Sequence, residues 1–214
     1  ARAQVAEDAL SIQRARLGAL SAHRVLGQLD EAERTISTLS RQLDGERARA
    51  AMPVASARLD YLRGSIAFSR GRLDLCGRFH ASALTTLEAV EAATDSGEAG
   101  EGWTGHRVYA QALSGMGDAL YAQGRYTEAA DAMQRCVDLA RSRGFGRIEV
   151  STLHMLGIAT TYTGDWRLGA ELARTCWEQA CQVGDTRATL LSELNVALPC
   201  FWGDHAQDAL DSCQ

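Results

Sequence analysis

A chain of 214 residues, 46% apolar and with a net charge of −5, can form one sizeable domain or one extended array. It is too acidic to present the basic stripe of a nucleic-acid surface. All 22 basic residues are arginine, so neither the lysine of a P-loop nor a Schiff-base amine is at hand, and an ATPase or aldolase-type enzyme is excluded within these residues.

Apolar positions recur with period 3.6 and no strand-like alternation occurs, which predicts an all-α chain. In chain order the helices are expected at 3–26, 29–50, 53–70, 73–93, 106–123, 126–143, 147–163, 166–182, 186–201 and 204–213. Pro53 suits a first helical turn, where its missing N–H is no loss. Pro199 is expected to kink or end the ninth helix. Between the fourth and fifth helices, the acidic, glycine-rich loop 94–105 reads either as a disordered insertion or as a lid anchored by Trp103. In "GFGRIE", 144–149, no strand precedes the G-x-G, so Gly144 is expected to close one helix and Gly146 to help start the next. No apolar run approaches the roughly 18 residues that span a bilayer. The cysteines show neither C-x-x-C nor zinc-like spacing, and their helical, apolar surroundings predict small buried thiols in a reducing cytoplasm. No histidine shows metal-ligand spacing, and no cofactor, metal site or catalytic constellation is expected. The chain opens on Ala1 and stops at "DALDSCQ" inside a helical pattern, so it reads as part of something larger.

A repeat underlies these helices. "GQLDEA" (27–32), "GRLDLC" (71–76), "GRYTEA" (124–129), "GDWRLG" (164–169) and "GDHAQD" (203–208) share a glycine, a polar residue, a bulky residue and then, in the first four, a small one. Seven residues before each of these glycines stand Leu20, Gly64, Gly117, Gly157 and Val196. Farther along each second helix, Leu39, Ala83, Cys136 and Cys176 occupy one equivalent position. A mid-helix glycine costs about 1 kcal/mol relative to alanine. Its return is the close approach of two antiparallel helices, here Gly117 against Ala129, with Gly124 ending the first helix in a left-handed conformation.

The pattern resembles the tetratricopeptide repeat (TPR), with a period near 40 in place of the usual 34. The resemblance implies a right-handed superhelix of about five antiparallel pairs, at 3–50, 53–93, 106–143, 147–182 and 186–214, forming a single array. "YLRGSIAFSRGRLDLC" (61–76) and "ALSGMGDALYAQGRYTEAADAMQRCVDLARSRGFGRIEV" (112–150) look like the TPR region of bacterial signalling proteins that join a class III nucleotide cyclase to an AAA/STAND-type ATPase. The repeat length is similar to that of MalT-like LuxR-family regulators. These likenesses imply a cytoplasmic, noncatalytic, regulatory segment whose catalytic domains lie elsewhere.

In such an array the first helices line the concave face. Counting from the packing glycines places Tyr61, Ser65 and Phe68, then Gln111, Ser114, Asp118 and Tyr121, then His154, Ile158, Thr161 and Tyr162 on it. Leu17, Ser21 and Arg24 are expected there in the first pair, Glu193 and Ala197 in the last. Tyrosines beside hydroxyls and single charges make a groove for a protein segment or a small polar effector, or else they cap contacts between repeats. Asp118 and His154 are candidates to face each other. A structural self-assembly module is the alternative function, since the ends of a repeat array are adhesive unless capped.

Overall fold

The computed structural model describes residues 2–43, 45–93 and 105–202, all of them helices or short turns. The helices are α1 (Arg2–Val25), α2 (Leu29–Leu43), α3 (Glu46–Ala51), α4 (Pro53–Ser69), α5 (Leu73–Ala93), α6 (His106–Ala122), α7 (Tyr126–Ser142), α8 (Gly146–Tyr162), α9 (Trp166–Val183) and α10 (Thr186–Trp202). The expected loop 94–105 lies outside the described residues except for Gly105, as does the expected helix 204–213.

Glycine sets the ends. Gly27, Gly71, Gly124 and Gly164, the turn glycines of four repeats, all have positive φ, and so do Gly144 and Gly184 between successive pairs. At Gly124 the next residue, Arg125, donates its N–H to Leu120 O at 3.0 Å, and Phe145 donates to Ala140 O at 2.8 Å after Gly144. Such bonds satisfy carbonyls that the last helical turn leaves open. Gly146 is the first residue of α8, as its sequence context predicts. At the other end of the hairpin, the Asp165 carboxylate accepts from Leu168 N at 3.0 Å and caps α9.

Two expectations need correction. The helix expected over 29–50 is broken: α2 ends at Leu43 and α3 starts at Glu46, with Gly45 in a bend between them. Of the two effects expected of Pro199, ending the helix does not occur, since α10 continues to Trp202, one residue past its expected bound.

The chain divides into two compact units, Ala1–Gly115 and Met116–Gln214, with the boundary inside α6. In the first unit, α1, α2 and α4 share a core of Leu17, Leu20, Ala32, Leu39, Leu43, Leu59, Leu62 and Ile66. A second core joins α4, α5 and the start of α6 through Ala57, Ala83, Leu87, Val108 and Ala112. Beside them a buried ion network ties the unit together. Asp60, 1% exposed, accepts from Arg49 at 2.9 Å, Arg63 at 2.9 Å and Ser82 at 2.8 Å. The break after Leu43 lets α3 bring Arg49 back to that carboxylate.

The main core of the second unit is built by α6 to α10 from Leu120, Ala129, Met133, Val137, Leu153, Leu156 and Cys176 among others. Here the packing glycines do what the sequence predicts. A Cβ on Gly117 would lie 2.5 Å from Met133 Cγ and 3.4 Å from Ala129 O. In the next hairpin the backbones come closer, and a Cβ on Gly157 would lie 3.1 Å from Gly169 O.

Cys76, Cys136 and Cys176 are buried free thiols, but Cys181 is exposed, against the expectation. Its position at the end of α9, three residues before Gly184, carries it past the core.

Candidate functional site

The inner-face residues fall into two groups. In the first unit Tyr61 is half-buried, its ring 5.9 Å from that of His80. Ser65 bonds back to Tyr61 O at 3.0 Å, and Phe68 is 40% exposed. Gln111 and Ser114, on α6, are half-buried. Leu17, expected on this face, is instead a core residue at 2% exposure. The first pair carries Leu20 where the next three carry glycine, so its helices meet through leucines.

His80 has a place that sequence reasoning missed. Cβ atoms on Gly64 and Gly115 would lie 2.6 Å and 2.4 Å from its ring, so two glycines form its slot. It stands nine residues after Gly71, as Met133 stands nine after Gly124. Its Nδ1 has no hydrogen-bond partner, and burial lowers its pKa to about 4.

In the second unit three tyrosines cluster at the ends of α6 and α8 and the start of α7. Tyr126 stacks on Tyr162 at 4.6 Å, and Tyr121 meets Tyr162 edge-on at 5.8 Å and Tyr126 at 5.4 Å. The Tyr121 hydroxyl is hydrogen-bonded to Tyr162, and burial together with its tyrosine neighbours pushes its pKa up to about 12. Tyr162 keeps 38% of its surface in solvent. The cluster therefore joins one hairpin to the next and still offers aromatic surface outward. Thr161 faces its own hairpin: its Oγ1 bonds Gly157 O at 2.9 Å and fills the space where Gly169 would carry a Cβ.

Asp118, one turn before Tyr121, is crowded by protein but retains solvent-reachable surface. Burial raises its pKa to about 6. It has no hydrogen bond or ion pair among the described residues. The suggested pairing with His154 is replaced by another: His154 Nδ1 is hydrogen-bonded to the Asn195 side chain of α10. Burial and, secondarily, the charge of Arg187 hold the imidazole below its ordinary pKa. Glu193, farther along α10, accepts from Trp177 Nε1 at 3.2 Å.

Among the described residues, no group of three or more His, Cys, Asp or Glu side chains is placed to hold a metal ion. No described helix is long and apolar enough to cross a membrane.

Comparison with known proteins bears on this geometry. A family model described as tetratricopeptide repeat matches residues 110–143, the stretch containing Gly117, Asp118, Tyr121 and Tyr126. No curated protein matches the chain in sequence. Solved structures share its fold. TPR-like repeats of a kinesin light chain homologue from Podosopora anserina superpose with a TM-score of 0.66 at 13% identity, over 94% of this chain and 92% of that one. The Rap conjugation gene regulator of plasmid pLS20, solved in complex with the Phr* peptide, superposes with a TM-score of 0.59 at 10% identity. That match covers 94% of this chain and 62% of the regulator. The fold is all-α and TPR-like, a scaffold that generally serves protein interaction.

Proposed function

We propose that the chain is a noncatalytic binding module that takes up a peptide or protein segment, or a small effector, on the inner faces of its first helices. Through that binding it regulates signalling or transcription domains outside these residues. The observation that carries this is the Asp118, Tyr121 and Tyr162 surface, where a carboxylate without a protein partner among the described residues adjoins two tyrosine rings in contact, that of Tyr162 38% exposed. Stable folding alone does not call for such a combination. A TPR-like neighbour solved with a peptide supports the choice of ligand class. The test is titration calorimetry of wild type and Tyr121→Ala/Tyr162→Ala with a peptide selected on the wild type. Binding is expected to weaken at least about tenfold; equal affinity would remove these residues from the site.

Oligomerisation is the second function that an observation favours. Leu190, 61% exposed, lies one turn from Glu193, whose carboxylate holds the 38% exposed Trp177, so α9 and α10 present an apolar surface. Light scattering over a concentration series checks it: self-association abolished by Leu190→Glu supports assembly, and a monomer at every concentration rules it out.

A further inference from the structure

The second unit holds a carboxylate without a protein partner among the described residues, one helical turn from a cluster of three tyrosines. Asp118 and Tyr121 are three residues apart on α6 and so are neighbours on its surface. Tyr121 in turn touches Tyr162. Arg125, the arginine nearest Asp118 in the sequence, is instead bound by Glu128 at 2.7 Å. The contrast with Asp60 is direct, because that carboxylate, also on the first helix of a hairpin, is met by two arginines and a serine. Desolvating a carboxylate without a partner is unfavourable. Where a fold retains such a group within reach of solvent, a ligand that supplies the missing charge turns the penalty into affinity.

The geometry points to a cation subsite: Asp118 is the counter-ion for an arginine or lysine side chain of the bound segment, and Tyr121 and Tyr162 are the aromatic wall that side chain lies against. This rests on the groove proposed above and names the chemistry of its occupant. Arginine fits best, because a planar guanidinium can pair with a carboxylate and stack on a tyrosine ring together. The net charge of −5 draws basic segments toward the chain from a distance.

Random 12-residue peptides displayed on phage and selected on the whole chain at pH 7 test it. Selected peptides are resynthesised as arginine/citrulline or lysine/norleucine twins, and affinities are read by fluorescence anisotropy. The expected result is a shared basic residue in the selected peptides, a loss of about tenfold or more in the neutral twin, and an Asp118→Asn variant that binds both twins alike. Thermal melting confirms that Asp118→Asn folds, since removing the charge relieves a desolvated group. Selected peptides without a shared cation, or an unchanged preference in Asp118→Asn, overturn the subsite; if Tyr121→Ala/Tyr162→Ala still weakens binding, the groove itself stands. Failure to select any peptide, or full binding by the tyrosine variant, overturns both.

Discussion

The two units bury different ionisable groups, and Asp118 gives the second a pH response opposite to the one His80 gives the first. In the first, His80 sits in a slot between Gly64 and Gly115 and takes a proton only near pH 4, against 6.5 when unfolded. Below pH 6.5 the unfolded state binds more protons, so stability falls as pH drops from 6.5 to 4 and then levels off. In the second, Asp118 holds its proton up to about pH 6, against 3.8 when unfolded. Its contribution is fully present below pH 4 and is lost as pH rises through 6. One group satisfies packing and the other marks a surface, yet both depart from ordinary titration because neither has a charged partner.

The first way to break this contrast is to leave a charge stranded where the first unit now pairs it. Asp60→Ala removes the acceptor of Arg49, Arg63 and Ser82 and should destabilise by about 3–5 kcal/mol, measured by urea unfolding. His80→Met places in the first unit the residue that Met133 supplies at the equivalent position of the second. It should abolish a loss of about 3 kcal/mol between pH 6.5 and 4, read from hydrogen exchange over α4 and α5. Asp118→Asn should raise stability at pH 7 by roughly 2 kcal/mol, with the gain vanishing below pH 4. A gain in α7 and α8 that persists at pH 3.5 would contradict the desolvation account.

The smallest effect is expected where the units differ most in appearance. At one repeat position the first unit places Leu39 and Ala83 in apolar cores, while the second sets Cys136 3.4 Å from the Thr152 hydroxyl and lets Cys176 accept from Ser192 at 3.0 Å. Ser192 also bonds Ala188 O at 2.7 Å, so Cys176→Ala leaves it satisfied. That substitution should cost no more than about 1 kcal/mol in thermal unfolding. In three of the four repeats this position takes a small residue, and polarity is tolerated there wherever a hydroxyl answers it.

These particulars explain what could be read from the sequence. Most hairpin turns were legible because each depends on a local glycine, and Gly124 and Gly164 sit where the repeat places them. The break at Gly45 was hidden by its neighbours, since charged helix formers on both sides continue the helical pattern. The Asp60 network depends on that break, with Arg49 eleven residues from its partner, so no periodicity announces it. Inner-face phase identified Asp118, Tyr121 and Tyr162 as candidates, but the partner of His154 lay in α10, beyond the helix that phase alone considers. The slot for His80 was invisible for another reason: Gly115 falls outside the repeat register, and its role exists only once α5 and α6 meet.

The glycines themselves are of two kinds, and a mirror-image residue would tell them apart. At Gly124 φ is +76° and nothing lies within 4 Å of where a side chain would begin. D-alanine, introduced by chemical ligation, suits that backbone and restricts the unfolded chain, so it should strengthen the turn. At Gly157 the obstacle is the neighbouring main chain, and the same D-residue in a right-handed helix would gain nothing. The bends of this protein demand handedness, and its helix crossings demand emptiness.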